Sequence, residues 1–288
     1  MKKDIPMQTI LRLKKSYTEE SRQTRQKGLW GDGCCLRWYC APGISSSTPP
    51  RASMMTVLND RTIELSHLTF HYREAGAPDA PALILLHALG SDAQHWDEIA
   101  LTLAERYHVF ALDQRGHGQS TRPGIYSFEL MCDDLQAFAD ALALDCFTLI
   151  GHSMGGTVAF LFTERWSERV KRLVLEDTPP PYAGAIDPNS PEPPETAPEA
   201  VPFDWSVVPA IVRQLRNPDP SWWNNLPTIP VPTLIIGGGS TSHVPQEKLA
   251  EVAELIPDCR FVTIDGAGHA VHQKRPQEYK DLLRDFLF

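Results

Sequence analysis

From residue 56 onward the chain alternates two hydrophobic patterns, short apolar runs and longer stretches with apolar positions three and four apart. Residues 63–65 and 68–72 alternate as a hairpin does, and Gly76-Ala77-Pro78 closes it. Ala82-Leu83-Ile84-Leu85-Leu86 is apolar throughout, as expected of a parallel strand covered on both faces. A helix carrying Trp96, Ile99, Leu103 and Ala104 follows, then a strand at 108–112, a helix at 130–142 and a strand at 147–150. The spacing next predicts a helix over 154–166 and a strand over 170–175. The rhythm resumes with a strand at 233–236, a helix at 246–255, a strand at 260–264 and a last helix at 276–287. Strands alternating with helices define an α/β fold, a mostly parallel sheet with helices on both faces.

Two segments stand outside this rhythm. Residues 178–230 are rich in Pro and Glu, carry one short helical pattern at 207–215, and read as a lid inserted between two parts of one core, 54–177 and 231–288. Residues 1–53 show no sustained period and end in Ser45-Ser46-Ser47-Thr48-Pro49-Pro50, so they read as a disordered basic extension. They hold 10 Lys/Arg against 4 Asp/Glu, whereas residues 54–288 hold 17 against 32. The extension lacks the apolar core of a secretory signal, so a cytoplasmic location is expected; with Met54-Met55 just before the first regular structure it reads as an upstream extension or a late true start, and a targeting role for the basic segment is the alternative.

Charge and composition narrow the partners. The acidic body argues against nucleic acid, since phosphate contacts need a basic face. No run approaches the roughly 18 apolar residues of a membrane span. Of the six cysteines, Cys132, Cys146 and Cys259 are scattered over the body and read as free thiols. Cys34, Cys35 and Cys40 have no fourth ligand nearby, so no metal is expected.

The chemistry is concentrated at the ends of strands. Gly151-His152-Ser153-Met154-Gly155 is a G-x-S-x-G pattern between a strand and a helix, the setting in which a serine is held out on a tight turn. A nucleophilic serine needs a base, and His269 follows the last strand in Gly266-Ala267-Gly268-His269; His272, three residues on, reads as structural or solvent-facing. The stretch Gly237-Gly238-Gly239-Ser240-Thr241-Ser242-His243-Val244 contains no carboxylate. Asp177, which follows the strand next to that of Ser153, is therefore the candidate acid, and Glu176 should face the other way along the strand. Two backbone amides, Met154 and Leu89 (Ala88 being the near alternative), are the candidate oxyanion donors. Asp113-Gln114-Arg115-Gly116-His117-Gly118-Gln119-Ser120 reads as a structural turn behind the serine.

These four motifs, His87-Ala88-Leu89-Gly90, residues 113–120, Gly151 to Gly156, and Gly268-His269, resemble in order and interval those of the α/β-hydrolase superfamily over residues 60–288. Ala88 stands where Gly is usual, and the acid near Ser240 is missing, which makes the chain similar to small bacterial esterases whose acid follows the sixth strand. The resemblance implies cofactor-free hydrolysis of a small-molecule carboxylic ester or thioester through an acyl-enzyme. A haloperoxidase or perhydrolase using the same triad, and a non-catalytic binding protein keeping the fold, are the alternatives. Trp205, Trp222 and Trp223 are candidate walls of the substrate pocket or packing residues of the lid. Oligomeric state is not encoded in any of these features.

Overall fold

The computed structural model describes residues 57–288, so the basic extension lies outside the described residues. One eight-stranded sheet has the order β1-β2-β4-β3-β5-β6-β7-β8. β1 (Asn59–Leu65) and β2 (Leu68–Ala75) form the expected hairpin, which turns through Ser66 and His67, both at positive φ. Positive φ at both turn residues matches the right-handed twist of the strands. β3 (Ala82–Leu86), β4 (His108–Leu112), β5 (Phe147–His152), β6 (Val170–Glu176), β7 (Thr233–Gly237) and β8 (Cys259–Thr263) run parallel.

The apolar strands bury both faces, and side chains sort by parity along each strand. Ile84, Leu86, Phe110, Leu112, Leu149, Leu173 and Leu175 face one core. Into it pack α2 (Phe128–Ala141), α3 (Met154–Arg165) and α5 (Gln246–Leu255). Leu83, Leu85, Val109, Ala111, Ile150, Val174 and Leu234 face the other, under α1 (Asp97–Leu103) and α6 (Pro276–Leu287). The α1 pattern begins in a 3-10 turn, Ala93–Trp96, capped by Asp92. The observed ends of several elements move by one or two residues from the periodicity, because the last turn or pair depends on caps and neighbours rather than on pattern. Cys132, Cys146 and Cys259 are free thiols.

The stretch between β6 and β7 carries α4 (Val207–Arg216) and single helical turns at Ser221–Asn224 and Leu226–Thr228. It is pinned to the loop after β4 and to the start of α2. Tyr126 donates to Asp204 Oδ2 at 2.6 Å, the Asp204 amide donates to the Gly116 carbonyl at 2.7 Å, and the Phe128 amide donates to Gln214 Oε1 at 2.8 Å. Trp222 is buried edge-on against Phe128, with ring centroids 6.1 Å apart, and so packs the segment onto the body.

Close backbone approach explains the glycines flanking Ser153. A Cβ on Gly155 would lie 2.4 Å from the Leu86 carbonyl oxygen, and one on Gly151 would lie 2.4 Å from that of Gly155. Both neighbours are backbone and cannot swing away. Gly155→Ala should therefore lower the unfolding free energy by roughly 1–3 kcal/mol, seen as a lower urea midpoint; an unchanged midpoint would contradict this packing.

Candidate active site

β5 ends at His152, Ser153 turns the chain at φ 54° and ψ −119°, and α3 starts at Met154. A non-glycine residue at such a φ is strained and persists only where its surroundings hold it. Here they do. The Ser153 amide donates to the Glu176 carbonyl at 3.4 Å, and the Gly155 amide donates to the His87 carbonyl at 3.1 Å. Ser153 stays half-buried while its neighbours on either side are buried. The N-terminus of α3 adds positive potential there.

The register of β5 on β6 pairs His152 with Glu176, so Ser153 and Asp177 follow matched positions at adjacent strand ends. Asp177 is also at positive φ, 48°, with its amide donating to the Ile236 carbonyl at 2.8 Å. His269 Nδ1 donates to Asp177 Oδ2 at 2.8 Å, which leaves Nε2 to accept a proton. The same carboxylate accepts from the Gly238 amide at 2.9 Å, from Gln246 Nε2 at 3.1 Å and from the Ser242 hydroxyl. Burial pushes the Asp177 carboxyl up, but the His269, Ser242 and Gly238 donors outweigh it and hold it below the ordinary carboxylate range. The stretch after β7, which contains no carboxylate, thus supplies two of the groups that hold Asp177. His152 Nε2 donates to the His269 carbonyl at 2.8 Å and ties the histidine loop to the residue preceding Ser153. His243 closes the other side, its ring 4.2 Å from that of His269.

The loop after β3 is held by two imidazoles. The Gln114 amide donates to His87 Nε2 at 3.0 Å, and His87 Nδ1 donates to the Ala88 carbonyl at 2.8 Å. The Gly90 amide donates to His117 Nε2 at 3.1 Å, while His117 Nδ1 donates to the Arg115 carbonyl at 3.0 Å. The Ser91 amide is engaged by the Ala88 carbonyl at 3.1 Å. Phe203, from the segment between β6 and β7, stacks on His117 at 5.4 Å. Asp113 anchors the turn behind, accepting from the Ala93 and Gln119 amides and from His71 Nδ1.

Glu176 points away from His269, as the strand alternation requires. It accepts from both the amide and Nδ1 of His272, which is buried rather than solvent-facing. His152, Glu176 and His272 have potential ligand atoms within 4.8 Å of one another. Glu176 and His272 Nδ1 are hydrogen-bonded to each other and His152 Nε2 donates to the His269 carbonyl, while His272 Nε2 is buried with no partner among the described residues. The roles of Ser242, Gln246 and His152 carry no motif signal, since each acts through a contact made only in the folded chain. Among the described residues no helix is long and apolar enough to cross a membrane.

The chain belongs to the α/β hydrolase fold family, whose model matches residues 81–226. It is 28% identical to the sn-1-specific diacylglycerol lipase ABHD11 of Mus musculus, with 87% of this chain and 97% of that protein aligned. A putative esterase/lipase of Haemophilus influenzae is also 28% identical, with 73% of this chain and 84% of that protein aligned. Among solved structures, a membrane phospholipase A described as a bacterial virulence factor superposes with a TM-score of 0.66 at 27% identity, covering 80% of this chain and 86% of that one. The relatives are hydrolases, which places this chain among hydrolytic proteins.

Burial holds several imidazoles of this region well below the ordinary histidine value, among them His87 to about 4, His117 to about 3 and His152 to about 3. In the unfolded chain each titrates near ~6.5, so the stability they confer is complete above that pH and is lost as pH falls toward 4–3. His243, lowered to about 4 by burial, belongs with them, so these four imidazoles should contribute an uptake of about four protons on denaturant unfolding in this window, one for each. A stability independent of pH between 6.5 and 4 would contradict it.

Proposed function

We propose that the protein is a serine hydrolase that cleaves a carboxylic ester or thioester of small to medium acyl size through Ser153, His269 and Asp177. The observation that carries this reading is the 2.8 Å hydrogen bond from His269 Nδ1 to the buried carboxylate of Asp177, with Ser153 turned out at the matched position of the next strand. In this reading His269 Nε2 takes the Ser153 proton as the hydroxyl oxygen bonds to the acyl carbon. The developing oxyanion is met by the amides of Met154, at the start of α3, and Leu89. Leu89 is favoured because the Gly90 and Ser91 amides of its loop are already engaged. Collapse passes the proton from His269 to the departing alcohol or thiol. Water, deprotonated by His269, then attacks the acyl-enzyme, and the Ser153 oxygen recovers its proton as the acid leaves. No cofactor is needed for either half.

Residues 178–230 act as a lid over this edge, since the segment leaves the sheet directly after Asp177 and places Phe203 against His117. The names of the esterase and lipase relatives favour an ester over other acyl groups.

A fluorophosphonate probe should label the wild-type chain and fail to label Ser153→Ala. Asp177→Asn should lower kcat on p-nitrophenyl esters by on the order of 10⁴, because an amide at 177 favours the wrong imidazole tautomer. Activity surviving within about tenfold would remove Asp177 from the acid role.

A further inference from the structure

Behind the Asp177–His269 pair stands a second carboxylate–imidazole pair, built from neighbouring positions of the same two segments. Glu176 precedes Asp177 at the end of β6, and His272 follows His269 by three residues. The Glu176 carboxylate accepts from the His272 amide at 3.0 Å, and His272 Nδ1 lies 2.8 Å from each carboxylate oxygen. Both side chains are sealed from solvent, with exposures of 0% and 3%. Trp96 stacks on the His272 ring at 4.3 Å, and the Tyr279 ring lies 5.9 Å away. His152 stands between the two pairs, its ring 4.8 Å from that of His269 and 5.4 Å from that of His272.

A buried carboxylate–imidazole pair of this kind is weak evidence for stability, since apolar residues of similar volume often serve as well. Its position suggests a different use. Glu176 faces His272, His152 and Tyr279; His269 faces Asp177, His243 and His152. Of these groups Asp177 and Glu176 are the anions. Burial together with the Glu176 charge keeps the Tyr279 phenol protonated, and burial keeps His152 neutral.

We infer that Glu176 and His272, acting through His152, are positioning residues for His269. The His152 bond to the His269 carbonyl sets where the imidazole stands, and the Glu176 charge favours the imidazolium formed when His269 takes the serine proton. This inference rests on the triad reading above.

The test uses the full chain. Glu176→Gln keeps an acceptor for His272 and removes the charge. The His269 titration, followed by NMR of ¹⁵N-histidine-labelled protein and assigned by the signal lost in His269→Gln, should move to lower pH by roughly half a unit to one unit. The acid limb of kcat/KM should move with it, and kcat should fall about three- to tenfold at unchanged KM. A merely structural role would lower the melting temperature and leave the His269 midpoint in place, which overturns the inference. Should Glu176→Gln fail to fold, two substitutions at the linking position decide. His152→Gln retains a donor for the His269 carbonyl and should keep more of kcat than His152→Met, which should fall about three- to tenfold below it. Equal kcat in these two variants also overturns it. If Ser153-dependent hydrolysis is absent while the His269 midpoint still shifts in Glu176→Gln, the triad reading fails and the coupling stands.

Discussion

A carboxylate cut off from water must find its hydrogen bonds in the protein, and at the carboxyl edge of this sheet that requirement organises everything around it. Asp177 meets it with His269, Ser242, Gln246 and the Gly238 amide. These donors come from three different segments: the loop after β7, the first turn of α5 and the loop after β8. One side chain therefore stitches the second part of the core to the first. The backbone bears some strain for it, since Ser153 and Asp177, at matched ends of adjacent strands, both sit at positive φ. Such strain is kept where surrounding contacts over-determine it. Here the Ser153 amide bonds to the Glu176 carbonyl and the Asp177 amide bonds to the Ile236 carbonyl.

The two-residue alternation of a strand produces a second consequence. Glu176 and Asp177 are adjacent and so face opposite ways, and each takes a histidine from the loop after β8. One pair is sealed under Trp96, while the other reaches the edge where His269 keeps 10% of its side chain exposed. The neutral imidazoles of His87 and His117 extend the same logic to the loop after β3. Each acts as an acceptor for a backbone amide that would otherwise be buried without a partner. Several polar groups close to the sheet edge are thus held by one another.

Much of this was legible in the sequence because it is local. Apolar runs such as Leu83 to Leu86 mark strands buried on both faces, and the Gly151 and Gly155 pair marks a turn where backbone meets backbone. The choice of Asp177 followed from a missing carboxylate after β7 and from strand adjacency, and the structure places that carboxylate on His269 Nδ1. Other parts were not legible because they are tertiary. Nothing in the pattern around Ser242 or Gln246 marks them as partners of a residue more than sixty positions earlier. His272 resembles any other histidine on a loop until Glu176 and Trp96 enclose it. The segment 178–230 could be seen to break the rhythm, but its anchoring through Asp204, Gln214 and Trp222 depends on where α2 and the loop after β4 lie.

The central claim, that Ser153 is the reacting group of an edge pre-built by Asp177 and His269, is tested most directly by a crystal structure of the chain after reaction with a phosphonate ester. The account predicts phosphorus bonded to Ser153 Oγ, with one phosphonyl oxygen roughly 2.7–3.1 Å from the Leu89 and Met154 amides and His269 still bonded to Asp177. An adduct on another residue, or a phosphonyl oxygen turned away from both amides, would contradict it.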